Sequence, residues 1–170
     1  DKVAQAGRAF IDFYEMTGDE KYLRAGEDCA QVLVKHLREG DEFHSPVPFR
    51  VDVRNGENIE EYTSDMIQLV RLFDELILLG QTKYQSSRDQ VLNWIQKYPL
   101  KNNLWKGYFE DIRLDPDNEN REQLSALETA RYLLQNPLVD PNWRTTVPGL
   151  IDWVYETFGA LPFFFGSFNS

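Results

Sequence analysis

Two stretches of this chain collect side chains that can do chemistry. The first, 39–65, holds Glu42, His44, Arg50, Asp52, Arg54 and Glu57 and runs into Glu60, Glu61 and Asp65. The second, 100–120, holds Trp105, Tyr108, Glu110, Asp111, Asp115, Asp117 and Glu119. A carboxylic acid and a carboxylate held on either side of a bond supply general acid and general base catalysis. Indole and phenol rings beside them offer flat apolar faces with a polar edge, suited to stacking on a ligand. The same residues have purely structural uses. Glu60 and Glu61 serve as acidic first-turn residues favoured by a helix dipole, and Trp105 and Tyr108 as anchors of a long loop.

His44, in His44-Ser45-Pro46-Val47-Pro48, carries an imidazole that titrates near neutrality and can act as a base. No partner for it is evident in the sequence, so local hydrogen bonding is the competing account. A Ser-His-Asp set built from Ser45 or Ser64 with His44 lacks the Gly-x-Ser-x-Gly elbow. Asp115-Pro116-Asp117-Asn118-Glu119-Asn120 is dense in oxygen donors but lacks the glycine and the terminal bidentate glutamate of an EF-hand loop. It reads as a solvated acidic turn. Neither His36 nor His44 has a cysteine or histidine at zinc-ligand spacing, and neither Gly56 nor Gly107 belongs to a phosphate cradle. No metal and no cofactor are expected. The single cysteine, Cys29, lies in a helical run and reads as a small buried hydrophobe.

The chain has 170 residues, 42% of them apolar and 14% aromatic, with a net charge of −10. That composition is globular. Its acidity, with Lys and Arg scattered, disfavours nucleic acid and anionic lipid as partners. No apolar run approaches the length of a membrane-spanning helix. The first residue is Asp1, so a processed form or a fragment is expected and localisation is left open.

The elements that must position these residues follow a repeat. An apolar helix that stops at a tight turn and is followed by a returning helix occurs three times, at intervals of roughly sixty residues. Six helices are expected, at about Lys2 to Thr17, Glu20 to Arg38, Ile59 to Leu79, Lys83 to Tyr98, Arg121 to Gln135, and an interrupted sixth that restarts at Pro148. Gly18 and Gly80 suit helix C-termini, and Asp19 suits an N-cap. Asn58-x-x-Glu61 and Asn120-x-x-Gln123 read as capping boxes, and Pro99 should end the fourth helix. Short turns within hairpins alternate with long connections between them. The short turns therefore fall on one side and the long connections on the other, where long loops are often functional. Helices three and five open with small and polar residues, and two, four and six carry clearer polar faces. This suits odd helices inside and even helices outside.

Tyr14-x-x-Thr17-Gly18-Asp19-x-x-Tyr22-Leu23, Asn58-x-x-Glu61-Tyr62 and Ser125-Ala126-Leu127-Glu128-Thr129-Ala130-Arg131-Tyr132-Leu133-Leu134 carry a resemblance at the level of pattern. Taken with the alternating loops, the chain resembles the α/α toroids of the six-hairpin glycosidase-like superfamily of bacterial carbohydrate enzymes. The resemblance implies an all-α fold in which three helical hairpins form an arc or half of a toroid. On this reading residues 1–170 are a single hairpin-repeat domain and a fragment of a longer toroid. It also implies a periplasmic or secreted setting and a cleft at the N-terminal ends of the inner helices. Glycoside hydrolysis uses two carboxyl groups, one to protonate the leaving oxygen and one as base or nucleophile. Glu61 or Asp65 would then pair with Asp111, with Trp105, Tyr108 and His44 binding a saccharide. A toroid has six hairpins and this chain has three. The aromatic segment Phe158 to Phe168 is expected to pack on the domain, on a missing remainder or on a partner. The rival reading is a non-catalytic helical-repeat scaffold that binds protein on its concave face.

Overall fold

The computed structural model describes residues 1–107 and 120–159. The fold is all-α, apart from one small two-stranded ribbon. The chain divides into two compact units, Asp1–Ser125 and Ala126–Ser170.

In the first unit, α1 (Lys2–Thr17) and α2 (Glu20–Lys35) form the first hairpin. Gly18 ends α1 at φ +68°, and its N–H donates to the Tyr14 carbonyl at 2.7 Å. Glycine takes this left-handed conformation without a Cβ penalty. Asp19 then caps α2, its carboxylate accepting from the Lys21 N–H at 3.0 Å. The two helices approach at glycines. A Cβ on Gly26 would lie 2.6 Å from Ile11 Cδ1 and 3.2 Å from the Gly7 carbonyl oxygen. Cys29 faces Gly7 in this crossing and is only half-buried. Burial, then the charge of Asp28, pushes its thiol pKa up, away from nucleophilic use.

The third helix is shorter than its sequence pattern predicts. Instead of beginning near Ile59, α3 spans Ile67–Leu78. Residues Asn58–Glu60 form β2, antiparallel to β1 (Arg50–Val51), with Arg50 opposite Glu60. The Asn58-x-x-Glu61 capping box is therefore not made. Long-range backbone partners hold this segment extended: Phe49 N–H donates to the Glu60 carbonyl at 2.8 Å, Ser45 N–H to Glu61 at 3.0 Å, and Ser64 N–H to Lys106 at 2.9 Å. The first-turn helix-dipole account of Glu60 and Glu61 falls with the capping box.

Once begun, α3 is enclosed. Every residue from Ile67 to Phe73 is buried, and Leu69, Leu72, Phe73 and Leu76 are fully so. Burial on every side over Ile67–Phe73 puts this part of α3 at the centre of its unit, where it touches α1, α2 and α4 (Gln85–Ile95). By contrast, α2 buries only Gly26, Ala30 and Leu33. The start of α1 lies beside Met66 and its middle beside Leu72, so α1 and α3 run the same way. Arg8 ties them, its Nε donating to Glu75 at 2.8 Å and its terminal nitrogen to Gln68 at 3.2 Å.

A 3-10 turn, Thr82–Tyr84, leads into α4, and the predicted stop at Pro99 does not occur. The helix instead widens into a π turn, Gln96–Leu100, that contains the proline. The wider turn absorbs the missing N–H and the ring that would strain an α-helical turn. Asn103, at φ +53°, ends the run.

Helix α5 spans Gln123–Gln135 and is followed by α6, Trp143–Phe158. Helix α5 starts at Gln123, out of register with the Asn120-x-x-Gln123 box, and Glu122 stands just before it, accepting from the Ser125 N–H at 3.3 Å and its hydroxyl at 2.5 Å. In the second unit α5 ends where the Asn136 N–H and side-chain amide both donate to the Tyr132 carbonyl. Helix α6 is continuous through Pro148, and the predicted interruption is absent. Asp140 supports its first turn, accepting from the Asn142 N–H at 2.8 Å and the Thr146 hydroxyl at 2.6 Å. The turn is thus established before the proline is reached.

Candidate functional site

The two long connections meet. Ser64 N–H donates to the Lys106 carbonyl at 2.9 Å, and the Tyr62 hydroxyl to the Leu104 carbonyl at 2.8 Å. The second connection closes on itself below this contact. Gly107 N–H reaches the Asn120 carbonyl at 3.2 Å, and Glu122 N–H the Trp105 carbonyl at 2.9 Å, around a Lys106–Arg121 bridge. Glu61 and Trp105, far apart in sequence, therefore belong to one junction.

Glu61 is held by Arg38 from the end of α2. The guanidinium donates to the main-chain carbonyls of Ser45 and Glu61, both at 3.0 Å, and pairs with the Glu61 carboxylate. The Glu61 side chain keeps 39% exposure. Asp65 is buried at the entrance to α3, with its N–H on the Thr63 hydroxyl at 3.2 Å. Thr63, Ser64 and Asp65 together make a buried polar floor.

Trp105 is 1% exposed. As placed, its ring anchors the second connection inside the junction and does not lie open for stacking. Two polar atoms here, the indole N–H of Trp105 and the hydroxyl of Ser64, are buried without a hydrogen-bond partner among the described residues. Such orphans are rare in native proteins and call for a physical explanation. Tyr108 and Asp111 lie outside the described residues.

His44 has the partner its sequence context did not reveal. Its Nδ1 lies 2.8 and 2.9 Å from the two oxygens of Asp41, which also accept the Phe43 and His44 N–H groups at 2.7 and 2.8 Å. The Phe43 N–H is the main reason the Asp41 carboxyl titrates below its ordinary range. The ion holds the ring by one nitrogen, so a neutral His44 presents Nε2 as an acceptor. Ser45, the next residue, donates to the Glu61 carbonyl, which puts the dyad on the same connection as Glu61. The spacing Asp41-x-x-His44, an Asp reaching forward to turn amides, was the signal available.

Glu122 is the site residue that the sequence pattern concealed. Its Oε2 and the Thr63 hydroxyl both lie 3.4 Å from where a Cβ would stand on Gly107. This sets the Glu122 carboxylate on the Thr63 side of the Thr63–Asp65 floor. Read along the helix, Glu122 looks like an ordinary solvent-facing residue, and only the meeting of the loops gives it a place. Among the described residues no group of three metal-ligating side chains is gathered. No family model, no curated protein and no solved structure matches this chain.

Proposed function

We propose that this chain is a carbohydrate-binding or carbohydrate-processing domain of the α/α-toroid kind, its three hairpins an arc or half of that ring. The binding face is the junction of the two long connections. One observation supports the reading: the two connections are hydrogen-bonded to each other over a buried polar floor, Thr63 to Asp65, with Glu61 and Glu122 on the segments that meet there. Hydroxyl groups both donate and accept, so a polyhydroxylated ligand suits such a floor. The enclosed α3, the parallel run of α1 and α3, and the one-sided burial of α2 agree with inner and outer helices. If the domain is catalytic, one carboxyl of the junction protonates the leaving oxygen and another acts as base or nucleophile. Glu61, Asp65 and Asp111 are the candidates, with Tyr108 as stacking ring and His44 at the rim.

Glycan-array binding and polysaccharide digestion test this with wild type, Tyr108→Ala, Glu61→Gln and Asp111→Asn. A folded Tyr108→Ala protein should lose glycan binding, and the carboxylate variants should bind without hydrolysing. A folded wild type that ignores glycans and copurifies with a protein instead replaces this reading with the scaffold. The exposed apolar side chains of Phe13, Met16 and Leu78 favour that second reading.

A further inference from the structure

A second polar groove lies beside α4, with a volume of about 420 Å³, lined by residues that include Glu39, Asp89, Asn93, Trp94, Lys97 and Tyr98. Binding sites for small ligands fall in this range of size. Three features build it. The π turn Gln96–Leu100, forced by Pro99, carries Lys97 and Tyr98, and π turns recur at functional sites. Gly40, at φ +74°, lets the opposite wall lie flat on Trp94, since a Cβ there would stand 2.9 Å from the indole Cδ1 and Nε1. The indole N–H donates to the Asp41 carbonyl at 2.9 Å and locks that wall in place. Trp94 is thus fixed behind this wall at 2% exposure, and the half-buried Tyr98, its ring centroid 6.1 Å away, is the aromatic side chain that reaches the groove. Tyr62 packs on Trp94 at 5.7 Å.

The polar lining selects the ligand. Glu39 and Asp89 are acceptors, Asn93 offers an amide that does both, and Lys97 donates. The Asp89 carboxylate is oriented by the Gln85 amide, 3.2 Å from each oxygen. With both signs of charge present, the groove gives a strongly charged ligand no advantage. Alternating donors and acceptors fit vicinal hydroxyls, and an aromatic wall fits the C–H face of a sugar ring.

We infer that this groove is a second saccharide site, holding one or two neutral sugar units. The inference rests on the carbohydrate reading of the chain. Calorimetric titration with neutral hexaoses of β-linked glucose, α-linked glucose, xylose and mannose tests it. The proteins compared are wild type, Asn93→Ala, Tyr98→Ala and the junction variant Tyr108→Ala. Asn93 is exposed, so its variant keeps the fold even where Tyr98→Ala does not. The expected result is a loss of hexaose affinity of about tenfold in Asn93→Ala, the loss of one such hydrogen-bonded contact. An unchanged thermal melt should accompany it. Affinity lost in Tyr108→Ala but untouched in Asn93→Ala overturns the groove and leaves the junction standing. A wild type that binds none of the hexaoses overturns both.

Discussion

Arg38 should be the strongest single restraint on the candidate site, and its removal gives a sharp test. Its guanidinium donates to the carbonyls of Ser45 and Glu61, both at 3.0 Å, before any account of the Glu61 carboxylate. Hydrogen bonds to a charged group contribute about 1.5–3 kcal/mol each, so two give about 3–6 kcal/mol. Side-chain exposures of 31% for Arg38 and 39% for Glu61 bring the expected cost of Arg38→Ala down to about 2–4 kcal/mol. With a urea slope of about 2 kcal/mol per molar, the unfolding midpoint should fall by roughly 1–2 M. Glu61→Gln removes only the partly exposed ion pair and should cost about 0.2–1 kcal/mol. The coupling energy of the double mutant should then stay below about 1 kcal/mol, because most of the Arg38 contribution goes to main-chain oxygens. An Arg38→Ala cost under about 1 kcal/mol refutes the clamp. A coupling equal to the whole Arg38 cost assigns it to the carboxylate instead.

Two further outcomes follow from the first unit. Burial pushes the Glu75 carboxyl above its ordinary range, with Arg8 opposing. A folded-state pKa above the unfolded one means the contribution is full below the unfolded value and is lost as pH rises through the folded value. Glu75→Gln cannot ionise, so its melting temperature relative to wild type should be higher at pH 7 than at pH 4, and equal differences refute the assignment. Leu72 is fully buried and Leu78 is 85% exposed on the same helix. Chemical denaturation should show about 2–5 kcal/mol lost in Leu72→Ala and no more than about 0.5 kcal/mol in Leu78→Ala. Equal costs would mean that α3 is not enclosed.

The chemistry of the site was only half legible in the residue pattern. The two carboxylate-rich connections stand out by length and composition, and Glu61, Asp65 and Trp105 do converge on one junction. Glu122 was hidden because nothing along α5 distinguishes it from other helix-opening residues. Asp41 was hidden behind the apolar Phe43 and the exposed Glu42 that separate it from His44. The pattern left Trp105 open between two roles, because an aromatic in a long loop is equally a stacking face or an anchor. Its burial depends on Leu104, Lys106 and Glu122 bonding elsewhere in the unit.

What the amino-acid order determined by itself was local. Gly18 and Gly80 end helices, Asp19 opens one, and α1 and α2 fall where their apolar periodicity puts them, because each signal acts across one or two turns of chain. Tertiary structure decided where α3 begins, that a ribbon precedes it, and that Pro99 and Pro148 are carried within helices. The reason is reach. Strand pairing at 50–60 reaches beyond a single helical turn, and the Arg38 clamp on Glu61 and the Ser64–Lys106 bond join residues tens of positions apart; backbone groups satisfied in this way override the helical preference of the segment that supplies them.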